Sequence, residues 1–496
     1  MDGVQARAGH LEGAARPPFA RRAVLAAAAA QALALTAGSA GYGYHRDELY
    51  FRMLPAQWNY LDQPPLTPGL PRLSTHLADQ VWALRLPATI AAALSVILLA
   101  LITRDLGGGR AAQVLCAWGY AFAAMPLMLG HVLLTATIDL PLLLAVVVLV
   151  LRAVSGRPRT WLSAGIVAGV TAYTRLLVVV VVGLLVLGLV VLGPRATLRT
   201  PWPWLGGLIA GAIAIPVIAY QAGNDWPQLR MGEALASANA GEVRSFLPVL
   251  LLLMLGPPLV LVWVLGIGWL LRAPQRGRAG FLAVAFAGLV AFTLVSGAQP
   301  HYPIHLLSVM YAAGCVPAGR WLAARRRWRA VASAVVAVNA AVALVLALPV
   351  IPEAHLGATP IPGMAQLVRD QVGWPAYVEQ IAAAHVQVAD GRPLPILSAN
   401  YGEAGAIDRY GPALGLPHPY SGHTGLGDLG PPSGDRVLVV GGQLDSAQEM
   451  FERCTVLARL DNGVDVDNEE QGQPIALCTG PRAPWPQLWP RLRHLD

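Results

Sequence analysis

Residues 176–193 read LLVVVVVGLLVLGLVVLG, a run without a single charged or hydrogen-bonding side chain. A run of this length and composition is typical of a helix that crosses a hydrocarbon core of roughly 30 Å. Similar stretches recur along the first 350 residues, and we predict eleven spans. They lie at about 23–41, 84–103, 111–129, 139–152, 161–174, 176–193, 204–221, 246–271, 280–297, 303–320 and 331–350.

The composition of the whole chain supports a polytopic α-helical membrane protein. Of its 496 residues, 55% are hydrophobic and only 13% are charged, which is about half the charged fraction of soluble globular proteins. The net charge of +7 could indicate nucleic-acid binding, but all basic residues are arginines that lie between apolar runs. We therefore expect no nucleic-acid partner.

The positions of the arginines predict the orientation of the spans. Clusters such as Arg152/Arg157/Arg159 and Arg272/Arg276/Arg278 fall on one side when the spans are counted alternately, whereas loops 130–138 and 298–302 carry no arginine. Positive charge marks the cytoplasmic side, so the N-terminus is predicted inside and the C-terminus outside a multi-pass plasma-membrane protein. Arg21-Arg22 before an alanine-rich run then begins an uncleaved first helix rather than a secretion signal.

The composition changes after Pro352. Residues 352–496 contain acidic residues, polar turns and short β-branched runs, which predict a soluble extracytoplasmic α/β domain behind a transmembrane catalytic domain at 1–351. This domain holds Cys454 and Cys478, and an oxidising compartment permits a disulfide without requiring it. Cys116 and Cys315 lie within predicted spans and are expected to be packing residues.

The outer loops, rather than the spans, carry the polar residues that could do chemistry. Only five acidic residues occur between positions 86 and 300, and most belong to loops. An ion-coupled transporter usually places carboxylates near the middle of the membrane, so this pattern argues against coupled transport.

The first outer loop, at about 43–83, contains two candidate motifs. Asp47-Glu48 lies in HRDELYF immediately after the first span; Asp47 is either a helix N-cap or a general base that removes a proton from an acceptor hydroxyl. Asp62-Gln63 precedes Pro64-Pro65, which fix an extended segment that either directs these polar side chains toward the membrane surface or is a rigid connector.

Three further outer elements carry candidate residues. Asp139 precedes Leu140 and Pro141, and is expected to cap the next helix, to partner Asp47, or both. Arg175 either extends to the lipid headgroups or binds a lipid phosphate. His301-Tyr302 adds further hydrogen-bond donors.

The need for a metal ion stays open at this point. His131, His301 or His305 could ligate a metal together with Asp47, but no ligand spacing supports such a site.

In loop order these motifs resemble those of the GT-C integral-membrane glycosyltransferases, above all the protein O-mannosyltransferase superfamily (family 39) and the aminoarabinose transferases. The resemblance covers the membrane part of the chain. Its elements are Asp47-Glu48, Asp62-Gln63-Pro64-Pro65-Leu66, Asp139-Leu140-Pro141, Arg175 at a Tyr-Thr-Arg tip, and His301-Tyr302-Pro303.

The resemblance implies inverting transfer of a sugar from a polyprenyl-phosphate carrier to an acceptor hydroxyl, on the extracytoplasmic side. Asp47 would be the catalytic base and Asp139 would help to shape or polarise the site. The implied donor-binding residues are Glu48, which could equally be structural, Asp62, Gln63, Arg175, His301 and Tyr302. Gln63 departs from the lysine that aminoarabinose transferases often carry before the Pro-Pro pair, which puts a phosphate contact from this loop in doubt. A membrane-lipid environment and an acceptor that is a protein, a lipid or a cell-wall glycan fit this activity.

The C-terminal part resembles actinobacterial members of the same group in its segment NYGEAGAID at 400–408 and in HPYSGH at 418–423. Glu403 and His423 could form a carbohydrate or acceptor surface, or belong to turns of a packed domain. The alternative to an enzyme is a non-catalytic protein, either a transporter of lipid-linked glycans or an assembly protein that binds cell-wall glycan.

Overall fold

The computed structural model describes residues 16–495, and its first two thirds are helical. Residues 1–15 and 496, which belong to the two predicted domains, lie outside the described residues. Helices α1 to α16 are Arg21–Gly38, Arg46–Met53, Leu66–Thr75, Val81–Asp105, Arg110–Ala121, Ala124–His131, Thr135–Val154, Thr160–Thr171, Leu177–Leu192, Pro201–Gly223, Pro227–Leu253, Pro257–Leu270, Gln275–Ala279, Phe281–Ser296, Ile304–Ala324 and Arg327–Ala347.

Each predicted apolar span lies on a helix or on a bent pair of helices. By length and composition, four helices of residues 16–495 can cross a membrane, or up to six if each bent pair forms one span. The apolar helices α8, α9 and α14 are shorter, at 10–17 residues. This criterion therefore gives fewer crossings than the eleven predicted, because several apolar runs are divided or shortened by turns.

The predicted span at 246–271 lies on two helices, since α11 and α12 meet at a bend of 95°. The carbonyl of Met254 accepts a hydrogen bond from the backbone N–H of Met125 (2.8 Å), and the Asn339 side chain donates to the carbonyl of Leu255 (3.1 Å). Irregular backbone among apolar helices persists where other protein groups satisfy it, as they do here. Gly256 suits the break because its φ is 95° and the Asn339 side chain occupies the space of a Cβ.

The C-terminal region, residues 352–495, contains a five-stranded mixed sheet. Its α-helices and its strands are α17 (Ile361–Met364), α18 (Gln366–Arg369), α19 (Trp374–Val388), β1 (Ile396–Ser398), α20 (Tyr401–Tyr410), β2 (Pro419–Ser421), β3 (Arg436–Val440), α21 (Leu444–Met450), β4 (Phe451–Arg459), β5 (Pro474–Pro481) and α22 (Trp485–Leu492). The strand order is β2-β1-β3-β5-β4; β1 is parallel to β2 and β3, whereas β5 is antiparallel to β3 and β4. A disulfide joins Cys454 to Cys478 across β4 and β5.

Helices cover both faces of this sheet. Successive strand residues point to opposite sides, so neighbouring residues of one strand contact different helices. Leu438 of β3 packs with α19, whereas its neighbours Val437 and Val439 pack with α22. The cluster under α19 also includes Leu49 of α2 and Leu84 of α4. The C-terminal region is thereby packed directly onto the segment 43–83, which carries the predicted catalytic motif.

Candidate active site

Helix α2 begins at the Asp-Glu motif, and its N-cap is His45 rather than Asp47. The Nδ1 atom of His45 accepts the backbone N–H of Asp47 (3.2 Å), and Glu48 accepts the backbone N–H of His45 (2.8 Å). This reciprocal capping box satisfies donors at the helix start. The interpretation of Asp47 as the N-cap is therefore wrong, and its carboxylate is left for other contacts.

Glu48 is fully buried and ion-paired with Arg85. The guanidinium donates to both carboxylate oxygens (2.9 and 2.8 Å), and the backbone N–H of Leu133 donates to Oε1 (2.8 Å). With the capping bond from His45, the protein itself occupies both carboxylate oxygens. This geometry favours the structural role of Glu48 over donor binding.

Arg85 is the main residue of this site that the sequence reasoning missed. It is buried, and it also donates to the carbonyls of Ser39 and Gly43 (both 2.8 Å) and to the side chain of Gln371 (3.0 Å). A signal was present in the sequence, because Arg85 is an isolated charge inside the apolar stretch 84–103. Charges in such stretches usually face a protein interior and have a partner.

Asp47 lies one residue from this pair and faces the C-terminal region. It is partly buried, and the hydroxyl of Tyr401 donates to its Oδ1 (2.9 Å). Tyr401 belongs to the quoted NYGEAGAID segment but was not predicted as a site residue. The contact joins groups 354 positions apart in the sequence.

Asp62 and Gln63 connect the first loop with the start of α7. Gln63 donates to Asp62 (3.1 Å) and accepts from the hydroxyl of Thr135 (3.2 Å). Burial raises the pKa of Asp62 to about 6, against a hydrogen bond from Tyr50 that lowers it, and the charge of Asp47 raises it further. Asp47 and Asp62 therefore share one electrostatic environment.

Asp139 is buried within α7, and the prediction that it caps this helix is wrong. The helix begins at Thr135, one turn earlier, and Thr137 accepts the backbone N–H of Leu134 (3.3 Å). Asp139 instead contacts the Nε2 atom of His305 (3.1 Å) and the hydroxyl of Thr174 (3.4 Å). A threonine can satisfy the helix start, so the carboxylate is available for tertiary contacts.

Arg175 forms a cluster with His301 and Tyr302. Its guanidinium lies 3.3 Å from the Nε2 atom of His301 and 5.0 Å from the centre of the Tyr302 ring. Burial and the nearby Arg175 lower the pKa of His301 well below its usual value, so the imidazole is neutral and Arg175 is the cation. A partly buried guanidinium with free donors suits a phosphate group.

The first loop and the turn that carries Arg175 are held together by the backbone. The N–H of Leu66 donates to the carbonyl of Tyr173 (2.9 Å), two residues before Arg175. Helix α7 bridges the same elements, since Thr135 contacts Gln63 and Asp139 contacts Thr174. A row of polar groups consequently runs from a carboxylate side at Asp47 and Asp62 to a cationic side at Arg175.

Comparisons with known proteins give one family-model match and several similar folds. Residues 62–220 match the family model described as dolichyl-phosphate-mannose-protein mannosyltransferase. The chain resembles ArnT from Cupriavidus metallidurans, in a crystal structure bound to undecaprenyl phosphate, with a TM-score of 0.56 at 16% identity, over 90% of this chain and 97% of that one. The family-model match covers about a third of the chain, and the structural likeness shows that the chain shares the fold of this neighbour.

A second solved structure shares the fold over a longer protein. The arabinofuranosyltransferase AftD from Mycobacteria aligns with a TM-score of 0.50 at 15% identity, over 93% of this chain but only 40% of AftD. No curated protein sequence matches significantly. At these identities the structural likeness shows the fold of this chain alone, and its substrates are argued from its own residues.

Glu403 and His423 are packed rather than displayed on a surface. Glu403 is 3% exposed and completes the capping box of α20 by accepting the backbone N–H of Asn400 (3.3 Å); it also accepts that of Ala399 (2.8 Å). His423 is 5% exposed and stacks on Tyr401 with ring centres 4.7 Å apart. Of the two alternatives raised from the sequence, the geometry supports the packed-domain role over an acceptor surface.

The histidines considered for metal binding have other partners. His131 contacts Arg85, His301 contacts Arg175, and His305 contacts Asp139. Within residues 16–495, no group of three or more His, Cys, Asp or Glu side chains is arranged to hold a metal ion.

We expect replacement of Glu403 by glutamine to flatten the pH dependence of stability. Burial and the nearby Glu470 raise the pKa of Glu403 to about 8, whereas an unperturbed glutamate titrates near 4.5. Between these values the folded state retains a proton that the unfolded state releases, so stability falls as the pH rises through this window. The unfolding temperature of Glu403→Gln should therefore match that of wild type near pH 5 and exceed it near pH 8.

Thermal unfolding of the lipid-reconstituted protein between pH 5 and 9 measures this effect. Glu449→Gln is the matched control, because Glu449 is an exposed carboxylate on α21 and its loss should leave the curve parallel to that of wild type. Some slope will persist in Glu403→Gln, since burial also raises the pKa of Asp370 to about 7. Curves of Glu403→Gln and wild type that stay parallel would contradict the prediction.

Proposed function

We propose that the protein transfers a sugar from a polyprenyl-phosphate donor to an acceptor hydroxyl at the extracytoplasmic face of the membrane. The observation that carries this proposal is the connected row of carboxylates and one arginine cluster in a GT-C fold. Transfer from a glycosyl phosphate needs a base for the acceptor and a cation for the leaving phosphate, and the row supplies both.

In the proposed reaction, the acceptor oxygen attacks the anomeric carbon and loses its proton to Asp47. The bond between that carbon and the phosphate oxygen breaks, and its electron pair leaves with the polyprenyl phosphate. Attack from the face opposite to the leaving group inverts the configuration. Because Tyr401 donates to Oδ1 of Asp47, we assign the proton transfer to Oδ2.

The donor phosphate is assigned to Arg175 with His301 and Tyr302. The guanidinium supplies charge-assisted hydrogen bonds, and its contact with the Tyr302 ring fixes its direction. Asp139 positions this cluster through Thr174, the residue before Arg175, and through His305, whose Nδ1 atom lies 2.8 Å from the carbonyl of Tyr302. Asp62 and Gln63 are assigned to the region between the proposed base, Asp47, and the proposed phosphate site at Arg175.

We further propose that residues 1–351 form the transmembrane catalytic part and residues 352–496 an extracytoplasmic domain, with a cytoplasmic N-terminus. The distribution of arginines supports this orientation. The proposal is consistent with a protein, lipid or cell-wall glycan acceptor.

The deciding experiment is sugar transfer by the purified protein in lipid vesicles. A panel of radiolabelled polyprenyl-phosphate sugars is supplied, and the release of free polyprenyl phosphate is measured. We expect release from one donor class, dependent on an added acceptor. Absence of release from every donor, with a protein that is folded by thermal unfolding, would contradict the proposal and favour a transport or glycan-binding role.

Substitution of Arg175 by lysine should weaken donor binding more than it slows the chemistry. Lysine keeps the charge but loses the planar fork and the stacking on Tyr302, so we expect an increase of about 10-fold in the KM for the donor. Steady-state transfer kinetics measure it, with the exposed Arg230→Lys as control. An unchanged KM for the donor would remove Arg175 from the phosphate site.

A further inference from the structure

We infer that Tyr401, from the C-terminal region, positions the carboxylate of Asp47 for proton transfer, so that this region is part of the active site. The inference rests on the proposed function. Its central observation is the hydrogen bond of 2.9 Å from the Tyr401 hydroxyl to Oδ1 of Asp47. One oxygen of the base is thereby held, and the other is directed toward the acceptor.

Two neighbouring rings pack against the Tyr401 ring. The centre of the Tyr50 ring of α2 lies 4.8 Å from that of Tyr401, and the centre of the His423 ring lies 4.7 Å from it. His494 continues the column, at 4.5 Å from His423. The backbone N–H of Tyr401 also donates to the Nδ1 atom of His423 (3.2 Å). A ring held in this way has little freedom to move its hydroxyl away from Asp47.

Close contact between α20 and α2 sets the distance between the two residues. A Cβ on Gly405 would lie 2.7 Å from the backbone of Leu49, which is nearer than a real Cβ is found. The absence of a side chain at this position lets the two helices approach closely, one turn after Tyr401 and close to Asp47. The close approach of α20 to α2 therefore holds Tyr401 near Asp47.

Charged contacts hold the same interface. Arg46, next to Asp47, forms an ion pair with Glu469, and its guanidinium lies 4.9 Å from the centre of the Tyr401 ring. The backbone N–H of Arg46 donates to the carbonyl of Asp370 (3.2 Å). These contacts connect the residue before Asp47 to three segments of the C-terminal region.

The chemistry of Tyr401 suits a positioning residue and not a second base. Burial and the negative charge of Asp47 raise the pKa of Tyr401 well above the usual value of 10, so the hydroxyl keeps its proton and donates a hydrogen bond to the carboxylate. Hydrogen bonds to ionised groups are the stronger class, and catalysis is sensitive to the direction of a base.

Tyr401→Phe tests the inference, because it removes the hydroxyl and keeps the ring. We expect kcat to fall by about 10- to 100-fold, with an unchanged KM for the donor and unchanged binding of polyprenyl phosphate. The matched control is Tyr377→Phe, since Tyr377 is also buried in the C-terminal region and donates its hydroxyl to Asn468 (2.8 Å), away from Asp47. Its kcat should equal that of wild type.

The outcomes separate this inference from the proposed function. No transfer by wild type from any donor overturns the proposed function itself. Transfer by wild type that Asp47→Asn abolishes and Tyr401→Phe leaves unchanged overturns only the inference. Equal loss of kcat in Tyr401→Phe and Tyr377→Phe, with equal loss of thermal stability, also overturns it, because it indicates a structural role.

A second variant keeps the test decisive if Tyr401→Phe does not fold. Tyr401→His retains a ring for stacking but its shorter side chain cannot place a donor at the position of the phenol oxygen. We expect its kcat to fall by about 10-fold or more with an unchanged KM for the donor. A kcat equal to that of wild type would overturn the inference.

Discussion

Asp47→Asn is expected to abolish sugar transfer while the protein stays folded. Asparagine has the same shape and keeps an oxygen that can accept the hydrogen bond from Tyr401, but it cannot take the proton of an acceptor hydroxyl. General base catalysis contributes about 10²- to 10⁴-fold, so the remaining release of polyprenyl phosphate should lie near the detection limit. The measurement compares wild type and variant in the same vesicles, with thermal unfolding as the test of folding.

The matched control for this experiment is Asp62→Asn. Asp62 lies in the same loop, is partly buried and interacts electrostatically with Asp47, but its carboxylate contacts Gln63 rather than Tyr401. We expect a smaller loss of transfer in Asp62→Asn than in Asp47→Asn. The reverse order, with activity retained in Asp47→Asn, would assign the base to Asp62.

Arg85→Met should destabilise the protein by about 3–5 kcal/mol, because it leaves the carboxylate of Glu48 buried without its counter-ion. The substitution also removes the donors to the carbonyls of Ser39 and Gly43 and to Gln371. The Arg85 guanidinium thus joins the end of α1 at Ser39, the start of the segment 43–83 at Gly43, and the C-terminal region at Gln371. We expect a large drop in the unfolding temperature and in the yield of folded protein.

Two comparisons establish the cause of that loss. Glu48→Gln combined with Arg85→Met removes both charges, and we expect it to be more stable than Arg85→Met alone. Arg392→Met removes a fully exposed arginine from its contact with Asp390 and should leave the unfolding temperature unchanged. An Arg85→Met protein as stable as wild type would contradict the importance of the buried pair.

The candidate site shows how far residue types could be predicted and their partners could not. Asp139, Arg175, His301 and Tyr302 were predicted separately, from three segments. The structure joins them through Thr174 and His305, and it turns Asp139 away from the capping role. Short polar motifs in loops indicate chemistry. The local sequence does not select between the possible partners of each side chain, because those partners come together only when the helices pack.

The missed residues have a common physical reason. Tyr401 meets Asp47 across 354 positions of sequence and Arg85 meets Glu48 across 37. Neither contact has a local pattern of spacing, because helix and strand periodicities extend over only a few turns. Arg85 was detectable as an isolated charge in an apolar stretch, whereas Tyr401 lies in the NYGEAGAID segment without a local sign of its contact with Asp47.

The sequence by itself determined where the apolar helices lie and that an α/β region follows them, since both depend on local runs of apolar or β-branched residues. Tertiary structure alone decided the break between α11 and α12, the choice of His45 as N-cap and the docking of α20 on α2. In each case the deciding free energy comes from a distant partner: Asn339 at the break, Arg85 beside the capping Glu48, and Leu49 opposite Gly405. Such contacts form only when packed helices bring the partners together and exclude water.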